Sequence, residues 1–237
     1  MKPFKTLFRS LFKISLIACF ISLPVALSAQ VYNPETFEKN IKAFDKRDSI
    51  ENVQPGANLF VGSSSITNWK DIATYFPDAY VINRGFGGSK FVDLLYYADR
   101  VIMPYKPAKI FIYEGDNDIA SGVDTKTLIQ QAKELRKKIA VAYPEVPVVF
   151  ISVKPSVARW NLKDKYVEFN KALKKYTKKE KLTAFADVWT PMIDENGEVF
   201  KDVFLKDDLH MKPNGYQIWQ KALQPFVLKK QESLIQN

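Results

Sequence analysis

The stretch Asn58-Leu59-Phe60-Val61-Gly62-Ser63-Ser64-Ser65-Ile66-Thr67 passes from a short apolar run to a glycine and then to three hydroxyl side chains. Residues 58–61 suit a buried strand, and Gly62 with the serines suits a sharp turn into a helix at Ile66-Thr67-Asn68-Trp69. The transition recurs downstream. Apolar runs at 80–82, 109–113, 147–153 and 182–186 are separated by longer amphipathic segments at 91–103, 125–143 and 162–179. Strands alternating with helices predict βαβ units and a parallel sheet covered on both faces. The expected fold is therefore α/β: a flavodoxin-like three-layer α/β/α sandwich around a mainly five-stranded parallel sheet. An early helix is expected over about residues 34–50, where Pro34-Glu35-Thr36 makes a start and Phe37, Ile41 and Phe44 keep helical spacing.

In such a sheet ligands bind beyond the carboxyl ends of the strands, so chemistry should cluster just after the apolar runs. Val61 is followed by Gly62 and the serines, Ile82 by Asn83-Arg84-Gly85-Phe86-Gly87-Gly88, and Tyr113 by Glu114-Gly115-Asp116-Asn117-Asp118. His210 is the one histidine in the chain, and Asp207 precedes it by three residues. At that spacing a carboxylate accepts from one ring nitrogen, fixes the tautomer and leaves the other nitrogen as a general base. Asp208, two residues before His210, competes for the role but should point away. The nucleophile for such a base is sought among Ser63, Ser64 and Ser65, each of which would also make an ordinary helix N-cap. Backbone N–H groups at Gly87 or Gly88 and the amide of Asn117 are suited to receive the negative charge that develops on an ester oxygen under attack.

These blocks, in this order, resemble the SGNH hydrolase superfamily of GDSL-type esterases and lipases. Block one is similar to Gly62-Ser63-Ser64-Ser65-Ile66, block two to residues 83–89, block three to Gly115-Asp116-Asn117-Asp118, and block five to Asp207-Asp208-Leu209-His210 with Pro213-Asn214-Gly215-Tyr216 behind it. The departure lies in block one, where the family's Gly-Asp-Ser is replaced by glycine and three serines. Counting from Gly62 makes Ser64 the nucleophile, whereas counting back from Ile66-Thr67 would favour Ser65. The resemblance implies Ser64 as nucleophile, His210 as base and Asp207 as its partner. It implies an oxyanion hole from Gly88 (Gly87 the alternative), Asn117 and the Ser64 N–H. It also points to the acylhydrolase branch, and so to short acyl groups. No metal or other cofactor is implied.

Residues 1–29 read as a secretory signal. Lys2, Lys5, Arg9 and Lys13 precede an apolar run over 14–27, and Ser28-Ala29 supplies small residues for cleavage. The competing reading is a lipoprotein box ending at Cys19, although the apolar run continues past it. Removing 29 of 237 residues leaves 208, takes away the sole cysteine and lowers the formal charge from +9 by those four cations to +5. A single domain over 30–237 is expected, free of disulfides and of thiol or zinc–thiolate chemistry. The remaining lysine pairs lack the aromatic interleaving of a nucleic-acid surface, so they read as a solvated face. The expected protein is an exported serine esterase, periplasmic or secreted. Its partner would be a small ester or acylated carbohydrate, with no nucleic acid and no stable membrane insertion. The alternatives are a catalytically inactive carbohydrate-binding protein on the same scaffold, or a lipase or lysophospholipase.

Overall fold

The computed structural model describes residues 33–230; the expected signal segment 1–29 and Cys19 lie outside the described residues. Five strands form the sheet: β1 (Asn58–Gly62), β2 (Val81–Gly85), β3 (Lys109–Tyr113), β4 (Val148–Ile151) and β5 (Thr183–Ala186). They lie in the order β2-β1-β3-β4-β5, and every pairing is parallel. Successive side chains of a strand point to opposite faces, and here both faces are buried. Leu59 and Val61, Ile110 and Ile112, and Val148 and Phe150 enter one core cluster, while Phe60, Phe111, Tyr113, Val149 and Ile151 enter a second.

The helices divide accordingly. α1 (Glu38–Glu51) follows a 3-10 turn at Pro34–Phe37; next come α2 (Ser64–Thr67), α3 (Ile72–Tyr75), α4 (Phe91–Val101), α5 (Asp116–Ala120), α6 (Thr125–Ala142), α7 (Lys163–Thr177) and α8 (Pro213–Leu223). Residues of α1, α4, α6 and α7 fill the first cluster; residues of α2, α3 and α8 fill the second, where Trp69 stacks on Tyr216 with ring centroids 5.0 Å apart. The expected α/β/α sandwich is the observed one.

Two differences from the expected boundaries have physical causes. β2 continues past Ile82 through Gly85, because its polar side chains have partners in neighbouring elements. Asn83 Nδ2 donates to the carbonyls of Ile66 (2.7 Å) and Trp69 (3.1 Å), pinning α2 to the sheet. Arg84, only 2% exposed, donates from Nε to the Tyr105 hydroxyl at 2.7 Å and pairs with Asp48 of α1. The segment expected to run to Met103 instead ends α4 at Val101 and tightens into a 3-10 turn at Met103–Tyr105, where Pro104 cannot donate a helical hydrogen bond.

Gly62 is held at φ +130°, and a Cβ there would lie 2.1 Å from the Tyr113 carbonyl oxygen on the neighbouring strand. Gly122, at φ +88°, has nothing within 4 Å of such an atom. Gly62→Ala should therefore cost about 3 kcal/mol or more from backbone strain plus overlap, and Gly122→Ala about 1–2 kcal/mol from strain alone. Urea unfolding of both variants checks this; equal losses would contradict the close approach at Gly62.

Candidate active site

Strands are added to one side of β1 first (β2) and then to the other (β3 onward), so the order reverses between β1 and β3, the place where such sheets bind ligands. The turn after β1 is locked to both neighbours, with Ser63 N donating to Tyr113 O (3.1 Å) and Phe86 N donating to Gly62 O (2.8 Å). Each of the three serines has a different environment. Ser63 stands at the N-cap of α2 but makes no capping bond through its side chain; its Oγ accepts from Asn117 Nδ2 at 2.6 Å. Ser64, partly exposed, places Oγ 3.0 Å from His210 Nε2. Ser65 is 3% exposed, and its carbonyl accepts from the Tyr216 hydroxyl at 3.0 Å.

His210 arrives from a loop closed by an antiparallel bridge between Phe204 and Met211, with Leu205 N donating to His210 O at 2.7 Å. Asp207 organises this loop from within. Its Oδ1 accepts from the backbone N–H groups of Leu209 (3.0 Å) and His210 (2.9 Å), and its Oδ2 lies 2.6 Å from His210 Nδ1. The hydrogen bond to the His210 ring, helped by the two backbone donors, holds the Asp207 carboxyl down at about 2. Asp208 takes the left-handed conformation at φ +55°, is exposed, and offers its carbonyl to Ala158 N at 3.0 Å. With Nδ1–H donated to Asp207, the other ring nitrogen is an acceptor facing the Ser64 hydroxyl.

Asn117 lies in the first turn of α5. Its Nδ2 donates to Ser63 Oγ and to Ser89 O (3.0 Å), tying the exit of β3 to those of β1 and β2. Gly88 sits at φ +90°, and a Cβ there would point toward Phe37 at 4.0 Å, whereas one at Gly87 would meet Ser64 Cβ at 3.7 Å. Gly87 thus packs beside Ser64, while Gly88 faces Phe37. A groove of about 730 Å³ between α6 and α7, lined by Lys133, Lys137, Lys175 and Lys179 among others, shares none of these residues.

Sequence reasoning missed a second cluster beneath the first. Asp116, 5% exposed, is held by the Tyr113 hydroxyl (3.0 Å), the Tyr166 hydroxyl (2.7 Å), Lys154 Nζ (3.4 Å) and Arg159 Nη1 (2.6 Å). Burial pushes its carboxyl up, but Lys154 and Arg159 outweigh this and keep it below the ordinary value. Arg159 Nη2 also donates to Asn117 Oδ1 at 3.1 Å. The one sequence signal was Lys154 directly behind the buried run 147–153: a lysine 1% exposed at a strand exit needs a partner.

Among the described residues, Glu114 has no such cation. Its Oε1 accepts from Ser89 Oγ at 2.6 Å, while Oε2 is buried with no hydrogen-bond partner. Burial, with the charge of Asp118 adding to it, raises its carboxyl well above the ordinary value. Burial likewise pushes Asp118 up to about 6, against donors from Phe91 N and Gly115 N. For groups raised in the folded state, the folded chain holds more protons than the unfolded one between the two values. Stability then falls as pH rises through that window, which for Asp118 runs from the ordinary carboxylate range up to about 6. Glu114→Gln keeps an acceptor for Ser89 and removes one titration, so its melting temperature should fall less between pH 5 and pH 8 than that of the wild type. Parallel curves for the two proteins would contradict the assignment.

The sequence matches the GDSL-like Lipase/Acylhydrolase family over residues 49–218, a span holding Ser64, Gly88, Asn117, Asp207 and His210. None of the curated proteins compared matches the chain. Among solved structures, the fold is similar to a Streptococcus pneumonia protein provisionally described as a platelet activating factor, with TM-score 0.73 and 23% identity over 81% of this chain and 92% of that one. It is similar to a GDSL-like lipase from Bacteroides thetaiotaomicron, with TM-score 0.68 and 19% identity over 79% and 96%. It is also similar to a catalytic mutant of an acetylxylan esterase from Geobacillus stearothermophilus, with TM-score 0.58 and 13% identity over 73% and 94%. At these identities the likeness is one of fold, whereas the family match is one of sequence and extends over most of the chain. The resemblance read from the separated blocks therefore holds, and the chain belongs to the GDSL-like lipase/acylhydrolase family of ester-bond hydrolases.

Proposed function

We propose that this protein is an exported serine esterase that removes a short acyl group, acetyl foremost, from a carbohydrate or a small ester, with Ser64 as nucleophile, His210 as general base and Asp207 as its orienting partner. The observation that carries this reading is the continuous path from Asp207 Oδ2 through the His210 ring to Ser64 Oγ, at 2.6 and 3.0 Å. Ser64 Oγ attacks the ester carbonyl carbon while its proton passes to His210 Nε2. The oxyanion is received by Asn117 Nδ2 and the N–H groups of Ser64 and Gly88. Collapse of the tetrahedral intermediate breaks the bond to the alcohol, which leaves with the proton from His210. Water then gives a proton to His210, attacks the acyl-Ser64 carbonyl and frees the carboxylic acid and the serine. Asn117 already donates both amide hydrogens, so the ester oxygen would share or displace Ser63 Oγ as acceptor.

Several features support the finer points. The burial of Ser65 favours Ser64 as the nucleophile. The partly exposed position of Ser64 suits a substrate arriving from solvent. The similar acetylxylan esterase acts on acetylated sugars, which fits the short-acyl, carbohydrate reading. Export rests on the pattern of residues 1–29, and among the described residues no helix is long and apolar enough to cross a membrane.

Kinetics on 4-nitrophenyl esters of increasing chain length, then on acetylated xylo-oligosaccharides, test the proposal. Acetate should be the best acyl group; a preference for chains of eight or more carbons would point to a lipase instead. Ser64→Ala and His210→Ala should each remove nearly all turnover, and the double variant should be no worse than the poorer single one, because these residues act as a unit. Asn117→Ala should lower kcat by roughly 10²–10³ with KM little changed, the range for losing one oxyanion donor. Full activity in Ser64→Ala would overturn the mechanism.

A further inference from the structure

An asparagine side chain serves an oxyanion hole only if its nitrogen, and not its nearly isosteric oxygen, faces the reacting carbonyl. The two ends of an amide have opposite hydrogen-bonding character, so, besides the Ser89 carbonyl that accepts from the nitrogen, the partner on the far end holds the orientation. Here that partner is Arg159, placed by the segment between β4 and α7. Its Nη2 donates to Asn117 Oδ1 at 3.1 Å, while Nη1 holds the carboxylate of the preceding residue, Asp116, at 2.6 Å. One planar fork thus grips two consecutive residues of α5.

We propose that Arg159 is the positioning residue of the oxyanion hole, fixing and polarising the Asn117 amide so that its nitrogen faces the ester. The proposal rests on the reading of Asn117 given above. A flipped amide would set NH₂ against the guanidinium, donor against donor, with no acceptor for either. A cation donating to the amide oxygen also draws electron density from the nitrogen and makes its hydrogens better donors, as chains of hydrogen bonds polarise one another. Arg159 does not depend on the substrate for its own position. Asp116 anchors it, and Asp116 is anchored in turn by Tyr113, Tyr166 and Lys154. The guanidinium geometry matters as much as the charge, since an ammonium is a single point and lacks two nitrogens in a rigid fork. Removing Arg159 leaves Asp116 its lysine and both tyrosines, so the fold has no need of the arginine to keep that carboxylate satisfied.

The test is a double-mutant cycle on the full protein with 4-nitrophenyl acetate. It measures kcat, KM and melting temperature for the wild type, Asn117→Ala, Arg159→Met, Arg159→Lys and the Asn117→Ala/Arg159→Met double variant. Arg159→Met should lower kcat by about tenfold or more, the scale of losing one charge-assisted hydrogen bond, with KM within about twofold of wild type. Arg159→Lys, which keeps the charge beside Asp116, should stay folded and recover only part of that loss. In the Asn117→Ala background the same arginine substitution should change kcat by less than about twofold, because no amide remains to be positioned. An equal loss in both backgrounds would overturn the proposal, since Arg159 would then act without Asn117. A rise in KM as the main effect would overturn it in favour of substrate binding, and a lowered melting temperature with kcat intact in favour of a structural role. If Asn117→Ala loses activity and Arg159→Met does not, this proposal fails alone. If Asn117→Ala keeps full kcat, the reading of the oxyanion hole fails and takes this proposal with it.

Discussion

The parallel register at Gly62 is the constraint on which the site depends. Gly62 is paired with Tyr113 on one side and with Gly85 on the other, so three strands end at one level. The chain leaving each of them enters the same crevice: Ser63 and Ser64 from β1, the Gly87-Gly88 turn from β2, and Asn117 from β3. A side chain at position 62 would collide with the Tyr113 carbonyl and drive β1 and β3 apart. Side-chain packing beyond the strand ends then has little to accomplish, because backbone register has already set the serine turn beside the amide. Asn117 Nδ2 closes the arrangement by donating to both of the other exits.

The carboxylates around this crevice are kept in different states by their surroundings. Asp207 lies at the rim, half exposed, and owes its low carboxyl value to hydrogen bonds from His210 and the loop backbone. Asp116 is buried, and two cations overcome the cost of its burial. Glu114 is buried with no cation beside it among the described residues and is pushed toward its protonated form. A buried ion pair such as Asp116–Lys154 adds little net stability, since desolvation offsets most of the attraction. Its value here is geometric: it holds Asp116, and with it Arg159, in one place against the Asn117 amide.

How much of this was legible in the sequence follows from the range of the interactions involved. The sandwich was legible because each strand contains a short apolar run and each long helix has its own spacing, both local properties. The Asp207–His210 pair was legible because three residues separate its members and the carboxylate bonds to the loop that carries it. The choice between Ser64 and Ser65 was open in sequence because both follow Gly62 within a single turn; what separates them is the burial of Ser65, set by packing against elements distant in sequence such as Tyr216 of α8. Arg159 was invisible, and the partner of Lys154 unreadable, for a similar reason. Their partner Asp116 lies some forty residues away, and nothing near either residue announces it. Asn83 and Arg84 were read as loop residues because polar side chains rarely belong to a buried strand, and only the carbonyls of α2 and the carboxylate of α1 explain them.

The central claim, that Ser64 is the residue the His210 ring activates, is tested most directly by covalent trapping. Diisopropyl fluorophosphate treatment, followed by fragment-ion mass spectrometry of the peptide containing Ser63, Ser64 and Ser65, reports which hydroxyl reacts. The account predicts a single adduct on Ser64 that forms in the wild type and is lost in His210→Ala. An adduct on Ser63 or Ser65, or an enzyme that keeps its esterase activity with no adduct at all, would contradict it.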